Sequence, residues 1–114
     1  MSCKAVVRNS GNISIVDLSG RIVLGEDANV VRDTIKGLVG TGSKNIILNL
    51  KDVGYVDSAG LGELVGAYTT VTNAGGKICL LHMQSKIQDL LQITKLYTVF
   101  QSFDDEPAAL ASFA

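Results

Sequence analysis

The chain has 114 residues, 46% of them hydrophobic and 18% charged, with a formal net charge of −1. That length suits one domain able to bury about two thirds of its unfolded surface, and the composition excludes a disordered chain. Scattered Lys and Arg exclude the basic stripe of a nucleic-acid binder, and no apolar run approaches the roughly 18 residues of a membrane span. The N-terminal stretch MSCKAVVRNSGN has no long apolar signal core, so the expected compartment is the cytoplasm.

Residues 4–9 and 12–18 are predicted as two short strands joined through Ser10-Gly11-Asn12, a hairpin-type turn. Ser19-Gly20 is expected to break the second strand, and Arg21-Ile-Val-Leu24 to resume extended structure. Glu26 and Asp27 place acids where a helix start favours them. Ala28, Val31, Ile35, Leu38 and Val39 then recur at helical spacing, and Gly40 and Gly42 end the helix. Asn45-Ile-Ile-Leu-Asn-Leu50 is nearly all apolar, as a central parallel strand covered on both faces must be.

A second helix follows Asp57 and Ser58, with Leu61, Leu64, Val65, Tyr68, Val71 and Thr72 on its inner face, and stops at Asn73-Ala-Gly-Gly76. Lys77 to Met83 is a further buried-type strand. Ile87, Leu90, Leu91 and Thr94 mark a third helix after Ser85. A last short strand is expected within Val99–Phe103. Acids followed by Pro107, with Leu110 and Phe113 inward, indicate a terminal helix. The order predicts an α/β fold in one domain spanning 1–114: a mixed central β-sheet, opened by a hairpin, with α-helices packed on at least one face. Cys3 and Cys79 are far apart in sequence, and with one His they form no metal-ligand spacing, so free thiols and no metal site are expected.

The chemistry concentrates in Tyr55-Val-Asp-Ser-Ala-Gly-Leu-Gly-Glu-Leu64, at a strand-to-helix junction. The simplest role for Asp57 and Ser58 is to cap the helix, sharing its unsatisfied amides. A nucleophile elbow requires G-x-S-x-G, and Val56 stands where the first glycine belongs; His82 is the only His available as a base. Gly60 to Gly66 spells GxGxxxG, one residue too long for a dinucleotide fingerprint, and an acid precedes it. No cofactor is expected. A bare anion at the helix start is chemically reasonable. So is a phosphate carried by Ser58 itself, adding about −1.5 to −2 charges to a turn of small residues that a partner's backbone can approach.

Asp57-Ser58-x-Gly60-Leu61-Gly62, preceded by Ile46-Ile-Leu-Asn-Leu50 and Asp52, resembles the anti-sigma factor antagonists, the single-domain STAS proteins of bacteria. Leu18-x-Gly20, Gly75-Gly76 and Ile93-Thr-Lys-Leu96 extend the likeness over nearly the whole chain; the last has Lys95 where the family carries Gly. The resemblance implies a STAS-like α/β domain and a binding protein, not an enzyme. It implies phosphorylation at Ser58 by a partner anti-sigma factor that is also a serine kinase, release of that partner on phosphorylation, and resetting by a metal-dependent phosphatase. It implies partner contacts at Asp57, Ala59, Gly60, Leu61 and Gly62, and at Val23, Leu24 and Gly25 in the loop before the first helix. Two departures stand out. Many members read Gly-Glu-Leu-Asp where this chain reads Gly20-Arg-Ile-Val23, so Val23 replaces the loop acid. Ala59 replaces the usual Ser or Thr, leaving one hydroxyl in the block. Two further roles keep the fold and change the function: a STAS subunit of lipid-transport machinery, and a small-ligand or nucleotide sensor using the amides near Ser58.

Overall fold

In the computed structural model, which describes residues 3–114, five strands form one sheet in the sequential order β1-β2-β3-β4-β5. The strands are β1 (Lys4–Ser10), β2 (Ile13–Ile22), β3 (Asn45–Val56), β4 (Lys77–Leu81) and β5 (Ser102–Phe103). The helices are α1 (Glu26–Gly40), α2 (Ser58–Asn73), α3 (Ser85–Thr94) and α4 (Glu106–Ala111), and a 3₁₀ turn covers Leu96–Thr98. Met1 and Ser2, part of the stretch read for a signal core, lie outside the described residues. Among those described, no helix is long and apolar enough to cross a membrane.

β1 and β2 pair antiparallel, and every later pairing is parallel. Parallel neighbours need crossovers, and right-handed crossovers stepping in one direction place their helices on one face of the sheet. Val31 and Ile35 of α1, Leu64 and Val71 of α2, and Ile87 and Leu91 of α3 accordingly share one core with Val16, Leu18, Ile46, Leu48 and Leu80. The chain then leaves β5 and lays α4 across the opposite face. There Ala109 is fully buried against Ile13, Ile15, Ile47, Cys79 and Leu81. α4 is a clean local prediction: Asp105 caps it by accepting from the Ala108 N–H at 2.7 Å, and Pro107 sits in its first turn. Its tail is held by the Lys77 Nζ, which donates to the Ser112 carbonyl and lies 5.0 Å from the Phe113 ring centroid.

The two thiols fall on opposite faces of the sheet, Cys3 in the larger core and Cys79 in the smaller, and both are free. Burial pushes the Cys79 thiol up to about 11.

Several expectations need correction. Ser19-Gly20 does not break β2, which runs unbroken from Ile13 to Ile22; register shifts there let the strand bend instead. β3 continues six residues past Leu50. Its helix-facing residues are Ile46, Leu48 and Leu50, then Val53 and Val56, so the two-residue alternation gives way to three-residue steps. Each extra residue is a bulge opposite β2, and bulges both hide the strand from a periodicity reading and increase its twist. β4 stops at Leu81, because His82 turns out of the strand at φ 58. Thr72 and Thr94 are exposed, and each returns its hydroxyl to the carbonyl four residues earlier, Tyr68 and Leu90.

Candidate functional site

The bulged extension of β3 projects beyond β4, since β3 pairs with β4 only from Asn45 to Asn49. Its far end pairs with β2 alone, at Arg21↔Tyr55 and Ile22↔Val56. Both strands therefore end together, and the loop after β2 meets the start of α2.

Asp57 makes that meeting specific. Its backbone is extended, at φ −91 and ψ −177, and its side chain is the N-cap of α2. One carboxylate oxygen accepts from the Gly60 N–H at 2.8 Å, and the other from the Leu24 N–H at 3.0 Å. Its own N–H donates to the Ile22 carbonyl at 3.2 Å. One acid thus ties β2, the Val23–Gly25 loop and α2 together. Amide donation from Gly60, and then from Leu24, holds its carboxyl below the usual carboxylate range. The carboxylate occupies the electropositive seat at the head of α2, which argues against an incoming pyrophosphate there.

With Asp57 as cap, Ser58 is left over. It is the first residue of α2, exposed, and among the described residues its hydroxyl takes part in no hydrogen bond. Capping is therefore not shared between the two residues. His82 is not among the residues that line the groove beside Ser58; it lies near Glu106 of α4, whose carboxyl is lowered chiefly by the Arg8 hydrogen bond and slightly by His82. It offers Ser58 no general base.

The glycines divide by role. A Cβ on Gly60 would stand 2.0 Å from the Ile22 carbonyl oxygen, so Gly60 is buried and lets α2 seat on the end of β2. Leu61 is 7% exposed and belongs to the core. The structure thus turns Gly60 and Leu61 inward, because the first turn of α2 presses its inner side against the sheet. Gly62 is exposed with open space around it, and Ala59 is half-buried. In the neighbouring loop Val23 is half-buried and its carbonyl accepts from the Ala28 N–H at 3.1 Å. Leu24 is 79% exposed. Gly25, at φ 103, makes the left-handed turn into α1 that an L side chain would strain.

The structure adds residues that the sequence reading missed. A groove of about 420 Å³ opens beside Ser58, lined by Tyr55, Val56, Asp57, Lys86, Ile87 and Leu90 as well. Tyr55 is 55% exposed. A tyrosine flanked by Gly54 and buried Val56 was a legible signal; Lys86 and Leu90 reach the groove only through the packing of α3. Among the described residues no cluster of His, Cys, Asp or Glu could hold a metal ion.

A five-stranded mixed sheet with three helices on one face and one on the other defines an α/β architecture, with an exposed serine at the head of its second helix. The STAS domain family model matches residues 4–109, and the chain belongs to that family. The anti-sigma-B factor antagonist of Bacillus subtilis is 32% identical over 96 residues, covering 84% of this chain and 86% of that protein. Across three such relatives the aligned stretch covers between 57% and 86% of their own length. A crystal structure of a putative anti-sigma factor antagonist from Thermotoga maritima superposes with a TM-score of 0.88 at 21% identity, covering 96% of this chain and 93% of that one. The phosphorylated form of the Bacillus cell fate determinant SpoIIAA gives a TM-score of 0.71 at 19% identity, covering 92% of this chain and 96% of that one.

Proposed function

We propose that this chain is an anti-sigma factor antagonist, a binding regulator of the cytoplasm whose state is set by phosphorylation of Ser58. Unmodified, it binds an anti-sigma factor that is also its serine kinase, and so frees a sigma factor. Phosphorylated, it lets that partner go, and a metal-dependent serine phosphatase restores it. The contact surface is built from the Val23–Gly25 loop, Tyr55, Asp57, Ala59 and Gly62 around Ser58. Gly60 and Leu61 contribute by seating α2.

The observation that carries this reading is the state of Ser58. Its hydroxyl is exposed and unengaged at the head of α2, with Asp57 already serving as the cap. A free hydroxyl is available to a kinase at no cost to the fold. Beside it stand two large exposed hydrophobic side chains, Leu24 and Tyr55, of the kind that an interface covers. The names of the relatives point the same way. Reversing a complex from 99:1 to 1:99 needs about 5.5 kcal/mol, within reach of one doubly charged group at an interface centre.

Incubation with the cognate anti-sigma kinase and ATP should place phosphate on Ser58 and nowhere else. Ser58→Ala should bind the kinase and accept no phosphate. Phosphate on another residue, or equal affinity of the modified and unmodified chains, would refute the switch.

A further inference from the structure

We infer that Lys86 is the counter-ion of the phosphorylated state: once Ser58 carries a phosphate, the Lys86 ammonium pairs with it across the groove between α2 and α3. This inference rests on Ser58 being the modified residue, and it names how the fold holds the modification.

Ser58 and Lys86 line the same cavity, Ser58 as the first residue of α2 and Lys86 as the second of α3. Lys86 is the only cationic residue among those lining it. The four ion pairs among the described residues are Arg8–Asp17, Arg8–Glu106, Arg21–Asp27 and Arg32–Glu63, so Lys86 spends its charge on no carboxylate. Asp57 is the one carboxylate lining the groove, yet backbone amides set its acidity and no lysine contributes. A phosphate on Ser58 faces the opposite situation. The anion seat at the head of α2 is filled by Asp57, so the new charge meets a like charge on one side. The cation placed to relieve it within the groove is Lys86, whose flexible four-carbon stem carries three donors.

The pairing has a consequence for binding. The walls beside Lys86 are Ile87 and Leu90, and Tyr55 stands opposite. An ion pair drawn across this opening stands over the exposed Tyr55 and the partly exposed Leu90. The phosphate therefore acts twice, by adding charge and by closing the groove.

The test installs phosphoserine at position 58 by genetic encoding and follows the ³¹P chemical shift against pH, in the wild-type background and with Lys86→Gln or Lys86→Arg. An ordinary phosphoserine has its second pKa near 6. Pairing with a solvent-facing ammonium should lower it by about half a unit, and raising the salt concentration should shrink that difference. Lys86→Gln should return the pKa to the higher value, and Lys86→Arg should keep it low. Identical titrations for the wild type and Lys86→Gln would overturn the inference. Lys86 is exposed on α3, and among the described residues its ammonium joins none of the ion pairs, so neither variant removes a contact that holds the fold. Because the phosphate is encoded, a kinase that ignores Ser58 would refute the proposed function without touching this measurement.

Discussion

Gly60 and Gly62 are two residues apart on one helix, yet alanine should act on them with opposite sign. A Cβ at Gly60 would lie 2.0 Å from the Ile22 carbonyl oxygen, 2.8 Å from its carbonyl carbon and 2.9 Å from Ile22 Cγ2. Two of these atoms are backbone, in the strand whose end also accepts from the Asp57 N–H. No rotamer change relieves them. α2 and β2 must separate by about 1 Å before the closest contact reaches the 3.0 Å floor of real Cβ contacts. Overpacking of this kind costs about 3 kcal/mol at the upper end of its usual range. Removing a helical glycine returns up to about 1 kcal/mol. The net for Gly60→Ala is a loss of about 2 kcal/mol, or about 8 °C in the thermal midpoint of a chain this size. Gly62 has nothing within 4 Å of its virtual Cβ. Gly62→Ala should therefore stabilise by about 0.5–1 kcal/mol, or about 2–4 °C. Urea and thermal unfolding, followed by circular dichroism, measure both. The reasoning fails if Gly60→Ala is as stable as the wild type, or if the two substitutions shift the midpoint in the same direction.

Asp57→Ala should lower the thermal midpoint at pH 7 more than Asp57→Asn, because Asn can still accept from the Gly60 N–H. The folded-state carboxyl pKa is depressed, so its stabilisation is complete above the unfolded value of about 3.9 and is lost as the pH falls through the folded value. Midpoints measured across pH should thus show the wild-type advantage over Asp57→Asn shrinking below about pH 4; a constant gap would count against the carboxylate. Lys95 occupies the left-handed region at φ 62 and ψ 16, at the C-cap of α3. Lys95→Gly should stabilise by about 0.5 kcal/mol after the flexibility of glycine is deducted, and a destabilised variant in urea titrations would show that the Lys95 side chain does more than pass through the turn.

Most of the architecture was legible because it is local. Helical spacing on α1 identified Ala28, Val31 and Ile35, all of them buried, and the acids before Pro107 marked the start of α4. The near-continuous apolar run Ile46–Leu50 announced a strand covered on both faces, and α4 supplies the second cover. The resemblance to the family's Gly in Ile93–Leu96 also found its physical reason, since Lys95 stands in a conformation that glycine adopts freely. What escaped was non-local or broke a period. The end of β3 carries bulges, so Lys51 to Val56 shows no strand alternation although it pairs with β2.

The sequence by itself determined the order of strands and helices, the strand-to-helix junction at Asp57-Ser58, and the single exposed hydroxyl within it. Those features follow from side-chain period, turn chemistry and capping, which act over a few residues. Only the tertiary structure decided which of Asp57 and Ser58 is the cap, that Gly60 packs against the Ile22 carbonyl, and that Lys86 shares a groove with Ser58. Each of these depends on how α2 seats against β2 and α3, a distance between residues remote in sequence that no local pattern encodes.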